Sequence, residues 1–134
     1  HLATADVHGV RLLYKALKRG EAIGLLPDQV PSQGEGEWAN FFSRPAYTMT
    51  LSGRLAQKSG ATVMLAYAER LPHGAGYALR FETLPLDFST SVPLQINAAM
   101  ERVIAFSPAQ YLWSYNRYKA PHGAPPPALK EHAC

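Results

Sequence analysis

Asp28 and Gln29 are the first polar side chains whose position suggests a binding role. They follow the apolar run 22–26 (AIGLL), whose length and lack of alternation predict a parallel strand buried on both faces. Open α/β sheets place ligand crevices beyond the carboxyl ends of such strands. We therefore expect Asp28 and Gln29 to border a crevice. A plain turn after Pro27, in which Asp28 bonds its own backbone, is the alternative that the spacing leaves open.

Arg44 lies between the aromatic pair Phe41-Phe42 and the expected start of a helix, which Thr48 would cap. A guanidinium held there can bind a phosphate or carboxylate through two parallel hydrogen bonds. Thr48 and the free amides that follow it would add an anion site at the helix amino terminus. A solvated arginine stacked on a phenyl ring is the alternative interpretation of the same residues.

Arg117 lies in an aromatic and cationic stretch near the carboxyl end of the chain. The spacing of Trp113, Asn116, Arg117 and Lys119 predicts that they share one helix face. Aromatic and cationic groups together could form a platform for single-stranded nucleic acid. Because Leu112 lies among these aromatics, we expect most of them to belong to the core and expect no nucleic-acid partner.

His1 and Asp6 have the spacing H-x4-D, in which a histidine can act as general base and an acid can orient it. Asp6 is better explained as a helix cap, and no preceding strand is visible that would hold His1. The remaining histidines are isolated, and no set of ligands has metal-binding spacing.

Three helices and a short fourth one are expected to support these residues. Asp6 predicts the cap of an amphipathic helix that ends near Gly20, and a second helix is expected over 49–58. A third is expected over 93–106, and a short helix should start again at Pro108 and carry the aromatic stretch.

Strands are expected over 61–68 and 77–83 in addition to 22–26. The breakers in 72–76 predict a tight turn, so the last two strands should pair antiparallel. Residues 28–43 have no periodicity and predict a long surface loop. This order of elements is typical of a layered α/β domain.

The composition allows one globular domain and gives little information about function. The chain has 134 residues, a net charge of +3 and a single cysteine, Cys134, so no internal disulfide can form. No stretch is apolar for the roughly 18 residues that a membrane-spanning helix needs. A first residue other than Met and the lack of a leader predict a partial sequence.

Four segments together resemble the lauroyl and myristoyl transferases of lipid A biosynthesis: ALKRGEAIGLLPDQ, GEGEWANFFSRPAYTMTLSGRLAQKSGA, INAAMER and SPAQYLWSYNRYK. They occur in one order between Lys15 and Pro121. The resemblance implies the carboxy-terminal part of a glycerolipid-acyltransferase-type domain over residues 1–121, with a mixed sheet flanked by helices. Residues 122–134 would be a disordered, proline-rich tail.

The family resemblance implies transfer of a fatty acyl chain from acyl carrier protein to a hydroxyl group of a lipid A precursor. The reaction would take place at the membrane surface, on the cytoplasmic face of the Gram-negative inner membrane. No metal or redox cofactor is implied. The family's catalytic H-x4-D/E pair would lie upstream of the matched region. An acyltransferase for another lipid acceptor and a non-catalytic domain that binds anionic lipid remain as alternatives.

The resemblance also assigns roles to the four candidate residues. Asp28 and Gln29 would belong to the block that closes the active-site crevice. Arg44 and Arg117 would bind lipid phosphates or support that crevice.

Overall fold

The computed structural model describes residues 2–127, which contain three α-helices and four β-strands. The elements follow one another as α1 (Val7–Lys18), β1 (Gly36–Phe41), β2 (Arg44–Met49), α2 (Leu51–Ser59), β3 (Met64–Arg70), β4 (Tyr77–Thr83) and α3 (Val92–Phe106). The expected α/β class is confirmed. Across residues 2–127 the strands form two separate antiparallel hairpins, β1 with β2 and β3 with β4, and no parallel pair.

Helices α1 and α3 form where local signals predict them. The Asp6 carboxylate accepts the N–H of Gly9 at 2.8 Å and caps α1. Helix α3 begins after Ser91, whose hydroxyl accepts the N–H of Leu94 at 3.3 Å. One face of α3 packs on the β1–β2 hairpin, and this contact is the centre of the core: Phe41, Ala46, Leu84, Ile96, Ala99, Met100 and Ile104.

The predicted strand at 22–26 is wrong. These residues form no strand, and Leu26 is 63% exposed. A strand exists only where a neighbour takes up its backbone N–H and C=O groups. No segment within residues 2–127 pairs with this one.

The predicted loop at 28–43 contains strand β1, so that prediction is also wrong in its second half. The β1–β2 turn places both Phe42 and Ser43 at positive φ, 45° and 62°. Hairpin turns of this shape usually carry Asn or Gly, and neither residue is present to signal one. The Phe42 N–H donates to Glu101 Oε1 on α3 at 2.7 Å, which helps to hold the turn.

Helix α2 starts later than predicted because β2 continues through Met49. Its N-cap is Thr50, so Thr48 is not a cap and Arg44 begins a strand instead of preceding a helix. The predicted end is confirmed, since Gly60 takes a left-handed conformation with φ of 75°.

The β3–β4 hairpin confirms the predicted antiparallel pair, and β4 has the predicted bounds. One face of this hairpin is partly covered and the other is exposed. The face turned toward α3 carries an ion pair in which Arg80 Nη2 lies 2.7 Å from Glu69 Oε2. The opposite face, called the outer face here, is exposed and mainly apolar, with Arg70 and Thr83 at its two ends. Its apolar residues are Met64, Ala66, Ala68, Tyr77, Leu79 and Phe81.

The expected short helix after α3 is only a 3-10 turn, Pro108–Gln110. Residues 111–119, called the aromatic segment here, run in turns, so the prediction of one shared helix face is wrong. After the aromatic segment, Gly123 O accepts a hydrogen bond from Gln33 Nε2 at 2.8 Å. Residues 128–134 lie outside the described part of the chain, and the predicted tail and its boundary stay predictions.

Candidate active-site region

Arg117 is the centre of a buried polar network, whereas the sequence predicted only that it shares a helix face with Trp113, Asn116 and Lys119. It is 2% exposed. Its Nη1 donates to Tyr47 O at 2.9 Å, and its Nη2 donates to Thr48 Oγ1 at 2.8 Å and to Asn97 Oδ1 at 3.3 Å. The guanidinium also lies 5.3 Å above the Phe41 ring. Arg117 therefore joins the aromatic segment to β2 and α3.

Thr48 and Asn97 complete this network. The Thr48 hydroxyl donates to Ala46 O at 3.0 Å and accepts from both Arg117 and Asn97 Nδ2, the latter at 3.0 Å. That arrangement uses the one donor and both acceptor positions of a hydroxyl group. Asn97 Nδ2 also donates to Asn40 O at 3.1 Å. We call Arg117, Tyr47, Thr48 and Asn97 the Arg117 network.

The acceptors of the Arg117 network are neutral. Burial lowers the pKa of Arg117, and the acidic groups of Tyr111 and Asp28 oppose that shift. The Nε atom has no hydrogen-bond partner among the described residues. Because Nη1 and Nη2 are already bound to protein acceptors, Arg117 is poorly placed to bind a phosphate through two bonds.

Aromatic side chains surround a cavity of about 270 Å³ beside Arg117. Its walls are formed by Phe41, Tyr111, Trp113, Ser114, Tyr115, Asn116, Arg117 and Tyr118. The Tyr111 and Trp113 rings meet edge to face, with centroids 4.9 Å apart. We call this space the aromatic cavity. Its walls are mainly apolar, with a few polar groups.

Arg44 is exposed next to this cavity. Its guanidinium lies 4.1 Å above the centroid of Tyr118, one of the wall residues. The Tyr118 hydroxyl donates to Phe41 O at 2.9 Å, which fixes the ring. No hydrogen bond or ion pair of the Arg44 side chain occurs within residues 2–127. Its N–H groups can therefore bind an anion from solvent.

Asp28 and Gln29 lie in the turn that follows 22–26, as predicted, but without the strand. Asp28 is half-buried and Gln29 is exposed. Burial raises the pKa of Tyr111, and the charge of Asp28 adds to that shift. The structure thus brings Asp28 within electrostatic reach of Tyr111 and Arg117, whereas the Gln29 side chain makes no hydrogen bond in the described part of the chain.

Sequence reasoning missed three residues of this region. Thr48 was interpreted as a helix cap, and Asn97 and Tyr115 were not singled out. Asn97 did carry a signal, because it is a polar residue within the apolar stripe of α3. The Tyr115 hydroxyl accepts the N–H of Val30 at 2.9 Å, a contact between residues 85 positions apart that no local pattern predicts.

Two further observations concern metal binding and membranes. Residues 2–127 contain no group of three His, Cys, Asp or Glu side chains placed to hold a metal ion. No helix in this part of the chain is both long and apolar enough to cross a membrane.

Comparison with known proteins gives consistent matches. Residues 3–120 match the family described as bacterial lipid A biosynthesis acyltransferase. The chain is 32% identical over 126 residues to the lipid A biosynthesis lauroyltransferase of Escherichia coli K12, covering 90% of this chain and 41% of that protein. It is 30% identical over 118 residues to the lipid A biosynthesis palmitoleoyltransferase of the same strain, covering 84% and 38%. The chain thus spans about two fifths of the length of these curated relatives.

Proposed function

Because this chain belongs to the bacterial lipid A biosynthesis acyltransferase family, we propose that the polypeptide carrying it transfers a fatty acyl chain from acyl carrier protein to a hydroxyl group of a lipid A precursor. The family match over residues 3–120 supports the reaction. Such an acceptor is a membrane lipid, so the polypeptide works at the cytoplasmic face of the inner membrane, and this part of it is peripheral to the bilayer.

Arg44 is the residue that we propose to bind a phosphate of the acceptor. The observation that carries this role is the exposed guanidinium stacked 4.1 Å above Tyr118 at the aromatic cavity. Stacking orients the guanidinium plane and leaves its N–H edges available for an anion. Arg117 has a different role, because its terminal nitrogens already bind Tyr47, Thr48 and Asn97.

The catalytic base and its acid are proposed to lie outside residues 2–127. Asp6, the acid of the H-x4-D spacing, accepts hydrogen bonds from Gly9 N and from Thr4 Oγ1, both at 2.8 Å. These bonds explain Asp6 as the cap of α1. His1 lies outside the described residues.

The reaction is tested with the full-length polypeptide that carries this sequence. Acyl-acyl carrier protein is supplied with a phosphorylated disaccharide lipid A precursor, and separately with a phospholipid. Mass spectrometry should detect an additional acyl chain on the precursor. Acylation of the phospholipid alone would instead identify an acyltransferase for another acceptor. Binding of anionic vesicles without any transfer would identify a non-catalytic lipid-binding domain.

The role of Arg44 is tested by comparing Arg44→Ala with Arg54→Ala in the same assay. Arg54 is an exposed arginine on α2 and serves as the matched charge control. Loss of a charge-assisted hydrogen bond should raise the KM for the phosphorylated acceptor about tenfold or more. The difference in KM between the two variants should be smaller when the acceptor is dephosphorylated. Equal KM values for both variants would remove Arg44 from the site.

A further inference from the structure

The turn that carries Asp28 and Gln29 is joined by one hydrogen bond to another segment of residues 2–127. Inside the turn, the Gln29 N–H points to Leu26 O at 3.5 Å. The next N–H, that of Val30, donates to the Tyr115 hydroxyl at 2.9 Å. Within residues 2–127, no other hydrogen bond links residues 22–31 to a different part of the chain. The Tyr115 hydroxyl is therefore the hydrogen-bonding group that ties this turn to the rest of the described fold.

Tyr115 is itself held by the buried core. The N–H of Arg117 donates to Tyr115 O at 2.8 Å, and the Arg117 side chain is fixed by its network on β2 and α3. The Tyr115 ring lies under the Lys119 ammonium group, which is 5.3 Å from its centroid. A continuous set of contacts thus leads from the core through Arg117 and Tyr115 to the turn.

The Asp28 carboxylate acts on the same group of side chains. Burial raises the pKa of Tyr111, and the negative charge of Asp28 raises it further. Burial lowers the pKa of Arg117, and the charge of Asp28 acts in the opposite direction. No ion pair between Asp28 and Arg117 forms among the described residues. Asp28 therefore acts on both groups through its charge without forming an ion pair, and it does so from the turn that Tyr115 contacts.

We propose that Tyr115 is a positioning residue of the candidate site: its hydroxyl holds the 27–29 turn so that Asp28 stays within electrostatic reach of Arg117 and Tyr111 beside the aromatic cavity. The inference rests on the proposed function, because that function makes the turn part of an active-site crevice. A tyrosine suits this role since its ring packs in the aromatic segment while its oxygen accepts an N–H. Phenylalanine would fill the same space without accepting the bond.

The first test compares Tyr115→Phe with Tyr118→Phe in the 134-residue chain. Each variant removes one hydroxyl from the aromatic segment, but the Tyr118 hydroxyl donates to Phe41 O at 2.9 Å and does not touch the turn. Amide hydrogen exchange of Val30 should become faster in Tyr115→Phe and stay as in wild type in Tyr118→Phe. Unchanged exchange in Tyr115→Phe, or an equal increase in both variants, would overturn the proposal.

The second test measures the electrostatic coupling between Asp28 and Tyr111. Asp28→Asn should lower the pKa of Tyr111. This pKa is measured by NMR titration of the tyrosine ring carbons. This effect should shrink in the Tyr115→Phe background and persist in the Tyr118→Phe background. An undiminished effect with Tyr115→Phe would show that the turn is held by something else.

Neither measurement involves acyl transfer, so its outcome can be separated from that of the proposed function. Faster Val30 exchange after Tyr115→Phe, in a polypeptide that transfers no acyl chain, would support the positioning role of Tyr115 and reject the proposed acyltransferase function. If Tyr115→Phe leaves Val30 exchange and the Asp28–Tyr111 coupling unchanged in an active acyltransferase, only the positioning role of Tyr115 is rejected.

Discussion

The two hairpins of this chain are similar in size but differ in what covers them. Strands β1 and β2 lie against α3, and the guanidinium of Arg117 bonds to Tyr47 and Thr48 of β2. Strands β3 and β4 turn toward α3 a face on which Leu65 and Tyr67 lie beside the Arg80–Glu69 ion pair. They expose the outer face, where Leu79 is 69% and Phe81 64% exposed. Distant residues thus bond to the first hairpin, whereas the second hairpin leaves one face exposed.

Alternation along a strand identifies its two faces but not which of them is covered. The apolar face of β4 would be assigned to the core on sequence grounds alone. Burial of the β1–β2 hairpin depends instead on Arg117 and Asn97, which follow it by many residues. We therefore expect substitutions in the Arg117 network to affect folding far more than substitutions on the outer face.

The largest effect is expected for Arg117→Met. It removes three hydrogen bonds and leaves the acceptors of Tyr47, Thr48 and Asn97 without their donor. The free energy of unfolding, measured by urea denaturation, should fall by about 3 kcal/mol or more. Arg44→Met is the matched control, since it removes an exposed cation from a tyrosine ring and should cost about 1 kcal/mol or less. Equal losses would contradict the distinction between the two arginines.

A smaller effect is expected for Thr48→Val, which keeps the side-chain shape and removes the hydroxyl. Arg117 and Asn97 would each lose an acceptor, and the free energy of unfolding should fall by about 2 kcal/mol. The control is Thr83→Val at the exposed end of β4, where a change within about 0.5 kcal/mol is expected. A comparable loss at both positions would mean that the buried network does not stabilise the first hairpin.

How much of this could be predicted from the sequence depends on how local each signal is. The cap of α1 at Asp6, the end of α2 at Gly60 and the bounds of β4 follow from neighbouring residues. Strand β1 could not be predicted, because its turn uses Phe42 and Ser43 at positive φ without the usual Asn or Gly.

The candidate site was predictable only in part. Position after an apolar run pointed to Asp28, and an aromatic setting pointed to Arg44. Burial of Arg117 was not predictable, because it follows from tertiary contacts with Thr48 and Asn97 and not from any helical spacing. The prediction of a strand at 22–26 was wrong for a similar reason, because a strand requires a pairing partner that composition does not reveal.

On the outer face, the double substitution Leu79→Thr, Phe81→Thr should change the free energy of unfolding by about 1 kcal/mol or less. Both side chains are mainly exposed, and threonine is suited to strands. Fluorescence of a hydrophobic dye should fall, because the apolar patch is interrupted. Leu12→Gln, an exposed position on α1, should reduce dye fluorescence less. A strongly destabilised double variant would show that the outer face is covered in solution.

The smallest effect concerns Tyr111 at alkaline pH. Burial, followed by the charge of Asp28, raises the pKa of Tyr111 in the folded chain. A raised folded-state pKa stabilises the fold below the ordinary tyrosine pKa of about 10 and loses that contribution as pH rises through the folded value. The stability of wild type should therefore fall more steeply above about pH 10 than that of Tyr111→Phe. Coinciding alkaline curves for the two proteins would contradict this.

Native-state hydrogen exchange of the unmodified chain tests most directly the claim that the Arg117 network makes β1, β2 and α3 the stable frame of the candidate site. The slowest amides of the β1–β2 hairpin should exchange only through global unfolding, and those of β3–β4 should exchange at a lower free energy, through local opening. Equal protection in the two hairpins, or greater protection in β3–β4, would mean that the Arg117 network does not make β1, β2 and α3 the most stable part of the chain.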